Sequence, residues 1–309
     1  MYQSMLVPLD GSELANVVCP YVRELAGRLN LNLVFLNVCH PNEVELLPMH
    51  QAYIESAVDN CLLRFKEAQE TKSVGERIMP PKARGEVVIG HPAEEILQYA
   101  EKNNFDLILI ASHGHSGIKN WVLGSNANKI LRTSKIPVWL VKAGIPEEIV
   151  YDKWPRRTML VPLDGSILAE SVLPHVKAGA KRRGADLVDI VLLRVCEEPF
   201  ITSDYPEGPD QLSWDEHVIR MKNRCKEVAE EYLAKVQNRL ENAGLKVRSE
   251  VLIGKPADEI INYAHTHPFN LIAISTHGYS GITQWAYGSV SDKVLHRVSS
   301  PVFLIRPHH

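Results

Sequence analysis

The hexapeptide Val7-Pro8-Leu9-Asp10-Gly11-Ser12 returns as Val161-Pro162-Leu163-Asp164-Gly165-Ser166, so whatever this chain folds into, it folds into twice. Near the end of each copy, Ile110-Ala111-Ser112-His113-Gly114-His115-Ser116-Gly117-Ile118 is answered by Ile274-Ser275-Thr276-His277-Gly278-Tyr279-Ser280-Gly281-Ile282. Gly124-Ser125 and Gly288-Ser289 follow at matching distances. Between these anchors Gly90-His91-Pro92-Ala93-Glu94-Glu95-Ile96 is echoed by Gly254-Lys255-Pro256-Ala257-Asp258-Glu259-Ile260. Chance does not give ordered matches of this kind. A period of about 155 residues exceeds the roughly 20–50 of a solenoid unit, so each copy is expected to be a domain with its own core. The expected division is 1–145, a linker at 146–156 marked by Pro146 and Pro155, and 157–309.

With 309 residues, 45% hydrophobic and 23% charged, the chain can bury two cores. A formal charge of −3 and no basic cluster longer than Lys181-Arg182-Arg183 argue against a nucleic-acid partner. The apolar runs are of strand length, which argues against a membrane span, and residues 1–5 lack a leader pattern. Five cysteines without a C-x-x-C pair argue against a disulfide frame or thiolate zinc site and point to a reducing cytoplasm. Cys39 and Cys196, at equivalent positions, read as small buried thiols.

Short apolar runs alternate with longer amphipathic stretches, the pattern of βαβ units. Strands are expected near 4–9, 33–38, 84–89, 107–111 and 138–141, then 159–163, 189–195, 248–253, 271–275 and 302–305. Helices are expected over 14–28, 52–72, 93–102 and 126–132, with counterparts at 168–183, 215–242, 257–265 and 290–297. The fold class is α/β: two tandem, doubly wound, five-stranded and mainly parallel sheets, each covered on both faces. Residues 74–82 and 199–210 break the symmetry as Pro- and Gly-bearing loops.

Doubly wound sheets bind ligands in a crevice beyond the C-terminal strand ends, and both repeated motifs fall there. After the first strand of each copy, Asp10 and Asp164 stand in a turn where a carboxylate can accept from an adenine amino group or a ribose hydroxyl. After the fourth strand comes the glycine-marked loop, with nine residues between Gly114 and Gly124 and a new helix from Ser125. Glycine lets backbone approach phosphate oxygens, and free N–H groups at a helix start favour an anion. Ser125 and Ser289 can add hydroxyl donors.

On these motifs the chain resembles a tandem member of the universal stress protein family over essentially its whole length. The family's pattern after the fourth strand is G-x-x-G-x(9)-G-[ST], carried by members that bind ATP. The resemblance implies an adenine nucleotide alpha hydrolase-like fold and ATP, with or without magnesium, in each copy. Carried over by position, the first site comprises Pro8, Asp10, Val38, Ala111, Ser112, His113, Gly114, His115, Ser116, Gly117, Gly124, Ser125, Asn126 and Ala127. The second comprises Pro162, Asp164, Val195, Ser275, Thr276, His277, Gly278, Tyr279, Ser280, Gly281, Gly288, Ser289, Val290 and Ser291. The leading glycine of the pattern is Ala111 in one copy and Ser275 in the other, and the added Cβ is expected to weaken or tune binding rather than abolish it.

Transfer chemistry would ask for a base, a metal carboxylate and a cationic clamp on the γ-phosphate, and these loops supply few of them. His113 and His277 recur at matching positions but fit a backbone-bonded turn as well as proton transfer. No catalytic residue and no metal ligand is assigned. Three readings stand: an ATP-binding stress-response module with little or slow hydrolysis, a nucleotide-free interaction scaffold, and an ATP-using enzyme of related fold. The resemblance further implies pairing of the two halves through the strands at 136–141 and 300–305, and a homodimer.

Overall fold

The computed structural model describes residues 2–12, 17–70, 81–112, 123–142, 157–198, 214–276 and 288–307. The expected linker, most of both asymmetric loops and the glycine-loop residues 113–117 and 277–281 lie outside the described residues.

Each half alternates strand and helix in the order the periodicity dictates. The first half carries β1 (Ser4–Pro8), α1 (Cys19–Leu29), β2 (Asn32–Cys39), α2 (Leu47–Glu70), β3 (Ala83–Ile89), α3 (Pro92–Lys102), β4 (Leu107–Ala111), α4 (Ser125–Thr133) and β5 (Val138–Val141). The second carries β6 (Arg157–Pro162), α5 (Ile167–Glu170), α6 (Leu173–Arg183), β7 (Val188–Cys196), α7 (Trp214–Glu241), β8 (Lys246–Ile253), α8 (Pro256–Thr266), β9 (Leu271–Ser275), α9 (Ser289–Arg297) and β10 (Val302–Ile305). The stretch expected as one helix over 168–183 is two, because Pro174 at the start of α6 has no N–H to continue the ladder from α5.

The strand order is β3-β2-β1-β4-β5-β10-β9-β6-β7-β8. Within each half every pairing is parallel. β5 and β10 pair antiparallel, Phe303 opposite Trp139, so the two expected sheets are one ten-stranded sheet. Parallel strands covered on both faces must be apolar throughout, as Leu-Ile-Leu-Ile at 107–110 is. Met5 and Val7 point into one core layer and Leu6 into the other, and each layer runs through both halves. The outer strands β3 and β8 expose Arg84–Glu86 and Arg248–Glu250 ion pairs, charges that discourage further edge pairing.

Strand order reverses between β1 and β4, and again between β6 and β9. Each reversal opens a crevice at the C-terminal strand ends.

Candidate functional site

The turn after β1 and β6 is built by one glycine and one carboxylate. Gly11 (φ 84°) and Gly165 (φ 88°) occupy the left-handed region, where a side chain would strain the backbone. Asp10 Oδ1 accepts from the Ser12 N–H at 3.0 Å and its hydroxyl at 2.6 Å. Asp164 Oδ1 accepts from the Ser166 N–H at 2.8 Å. Ser166 Oγ in turn accepts from the Ala169 N–H at 3.0 Å, capping α5. Both aspartates thus sit at the crevice rim on a turn they help to hold, and both are exposed.

The start of the last helix is fixed just as repetitively. The Gly124 N–H donates to the Ser112 carbonyl at 2.9 Å, and the Gly288 N–H to the Thr276 carbonyl at 2.7 Å. The first intrahelical bonds come from Asn128 to Gly124 and from Asp292 to Gly288, so the three N–H groups before each precede the helical ladder. They form a positive helix end facing the crevice. A Cβ at Gly288 would stand 3.3 Å from the Thr276 carbonyl oxygen, so the bare backbone is what permits this approach. Ser291 is turned inward: its hydroxyl donates to the carbonyls of Thr276 (3.1 Å) and Gly288 (3.0 Å) and pins the loop.

In the second half the structure brings nine predicted residues, Pro162, Asp164, Val195, Ser275, Thr276, Gly288, Ser289, Val290 and Ser291, around one crevice of about 440 Å³. Such a volume lies within the range of small-molecule sites. The loop residues His277, Gly278, Tyr279, Ser280 and Gly281 lie outside the described residues. In the first half Pro8, Asp10, Val38, Ala111, Ser112, Gly124, Ser125, Asn126 and Ala127 hold the corresponding strand ends and helix start. His113, Gly114, His115, Ser116 and Gly117 are not among the described residues.

Sequence reasoning missed several lining groups, notably Arg194, Cys196 and Cys225. Arg194 precedes Val195, where the first half has Asn37; that mismatch between copies was the available signal. Cys196 is buried as expected, and its thiol is pushed up to about 12, first by burial and then by the neighbouring Cys225. It is therefore a poor nucleophile at neutral pH. Tyr232 on α7 lies against Arg194, its hydroxyl held protonated by burial and by the Glu170 carboxylate. In the first half Tyr53 is raised in the same direction, first by burial, beside Gly11 and Asp10. His40 and His91 meet edge to face at 5.2 Å beyond β2 and β3.

Comparison with known proteins agrees with this architecture. The model of the universal stress protein family matches residues 1–142 and 155–306. Universal stress protein MJ0577 of Methanocaldococcus jannaschii is 28% identical over 156 residues, covering 48% of this chain and 94% of the relative. Universal stress protein MJ0531 of the same organism is 29% identical over 150 residues, 48% of this chain and 82% of the relative. A crystal structure of a universal stress protein from Archaeoglobus fulgidus superposes over 98% of both chains with TM-score 0.62 at 21% identity, which speaks to the fold alone.

Proposed function

Because the chain belongs to the universal stress protein family, we propose that it is an ATP-binding regulatory module of the stress response, with one nucleotide crevice per half and little or slow hydrolysis. The observation that carries the reading is the convergence on one crevice, at the strand-order reversal, of nine residues that the family resemblance names by position. In this reading Asp164 takes a ribose hydroxyl or the adenine amino group, the Val195 backbone meets the base, and the N–H groups at the start of α9 take phosphate oxygens. Asp10, Val38 and the start of α4 play the same parts in the first half. Bound ATP supplies polyphosphate charge, and magnesium arrives on it: among the described residues no three His, Cys, Asp or Glu side chains cluster as a metal site.

The antiparallel β5–β10 join supports reading the chain as a built-in pair of equivalent modules. All five cysteines are free, which supports a reducing, cytoplasmic setting. Among the described residues no helix is long and apolar enough to cross a membrane.

The test is calorimetric titration of nucleotide-stripped protein with ATP and magnesium, followed by assay of the same sample for ADP. About two ATP per chain without ADP is the expected result. Steady ADP release would replace the module with an ATP-using enzyme, and absence of binding would leave a nucleotide-free scaffold.

A further inference from the structure

The two crevices differ at the residue before the strand-end valine. Asn37 in the first half is 2% exposed and fully engaged: its Nδ2 donates to the Leu9 carbonyl at 2.8 Å and its Oδ1 pairs with His50 Nδ1 at 2.5 Å. Arg194 in the second half lines the crevice instead. Its Cζ lies 5.1 Å over the Tyr232 ring. Its guanidinium lies against the backbone of Gly165, so that a Cβ there would stand 3.0 Å from Nη1 and 3.3 Å from Cζ. The Tyr232 ring and the bare Gly165 backbone both lie against the cation. Among the described residues no carboxylate forms an ion pair with it and no acceptor takes its N–H groups.

A held, half-buried guanidinium with unspent donors is a receptor for an oxyanion, bidentate where that anion is a phosphate. Arg194 lies beside the Asp164-Gly165 turn, its guanidinium against Gly165. A carboxylate at this place suits a free ribose hydroxyl, whereas an arginine nearby accommodates a phosphate on that hydroxyl. One oxygen of Asp164 is already engaged by the Ser166 N–H, which tempers its repulsion of an incoming phosphate.

We infer that the second crevice, but not the first, takes an adenosine nucleotide bearing an additional phosphate on its ribose 2′ or 3′ hydroxyl, gripped by Arg194. The inference rests on the adenine-nucleotide reading above. It makes the two halves non-equivalent: both take plain nucleotide, and the second prefers a ribose-phosphorylated form.

Titration of the full chain with 5′-AMP, adenosine 2′,5′-bisphosphate and adenosine 3′,5′-bisphosphate tests it. One site per chain is expected to prefer one bisphosphate over 5′-AMP by about tenfold or more, the scale of a charge-assisted contact. R194N, which installs the first half's residue, is expected to abolish that preference while keeping 5′-AMP binding, and R194K to retain part of it. Binding of 5′-AMP without any bisphosphate preference in the wild type overturns the inference and leaves the adenine reading standing. A preference that survives R194N, or R194N losing 5′-AMP and bisphosphate alike, overturns the role given to Arg194. If none of the three probes nor ATP binds, the adenine reading and the inference fall together.

Discussion

Lys142 and Arg306 occupy the same place in the two halves, one residue beyond β5 and β10, and each sends its cation to the last helix of the other half. Lys142 Nζ donates to the carbonyl of Val298 at 2.6 Å and to that of Leu295, at the C-terminal end of α9. Arg306 donates to the Arg132 carbonyl in α4. Unpaired carbonyls at a helix end favour a cation, so the junction of the halves is closed by reciprocal capping as well as by strand pairing. The two capping groups differ in one respect: arginine stays charged, whereas a buried lysine can lose its proton.

Burial lowers the Lys142 pKa from its ordinary 10.5 to about 7, which predicts a pH-dependent junction. Below pH 7 the amine is protonated in both folded and unfolded chains, and the full cost of burying its charge is present. Between about 7 and 10.5 the unfolded chain holds the proton that the folded chain has released, so stability rises with pH. Urea unfolding of wild type and K142M across pH 6–10 is expected to show the wild type gaining on the mutant above pH 7, at most about 1.4 kcal/mol per pH unit. A constant difference across that range would show that Lys142 keeps its charge.

Phe303 anchors the opposite face of the junction. It is 4% exposed and meets Trp139 at 5.3 Å, His175 at 6.0 Å and Tyr2 at 6.4 Å between ring centroids. F303A therefore opens a cavity where the halves meet, and about 3–5 kcal/mol of stability should be lost. Denaturant midpoints read by Trp fluorescence check this; an unchanged midpoint would mean that the aromatic cluster does not hold the halves together.

The alternation of apolar runs with amphipathic stretches made the strand ladder legible, and strands such as 107–111 and 302–305 begin and end where the sequence placed them. Asp164 and the Gly288-Ser289 helix start were legible because turn and cap chemistry is local. Arg194 was not, because what makes it notable is Tyr232, a partner far along the chain on α7. The break between α5 and α6 was hidden by an apolar pattern that runs on past Pro174. The single ten-stranded sheet rests on Phe303 facing Trp139, a pairing between residues that no local pattern connects.

The capped turn at the second crevice offers a stability test separate from ligand binding. Ser166 is 8% exposed, and its hydroxyl receives the Ala169 N–H at the start of α5. S166A removes that acceptor and should cost about 1 kcal/mol. Asp164 also relies on the Ser166 backbone N–H, which the substitution keeps, so affinity for ATP should change little while the thermal midpoint falls. A large loss of affinity would mean that the hydroxyl itself meets the ligand.

Gly288 provides the sharpest test of the phosphate end. Its φ of −58° is open to any residue, so a substitution there acts through space and not through backbone strain. A new Cβ would press within 3.3 Å of the Thr276 carbonyl, and the branches of valine would crowd the helix start where phosphate is to bind. Overpacking of this kind costs about 1–3 kcal/mol, which a domain of ordinary stability survives. G288V should therefore fold, with circular dichroism unchanged, yet bind about one ATP per chain instead of two, and the companion substitution at Gly124 should remove the remaining site. Two ATP bound to folded G288V would place the nucleotide somewhere other than the start of α9.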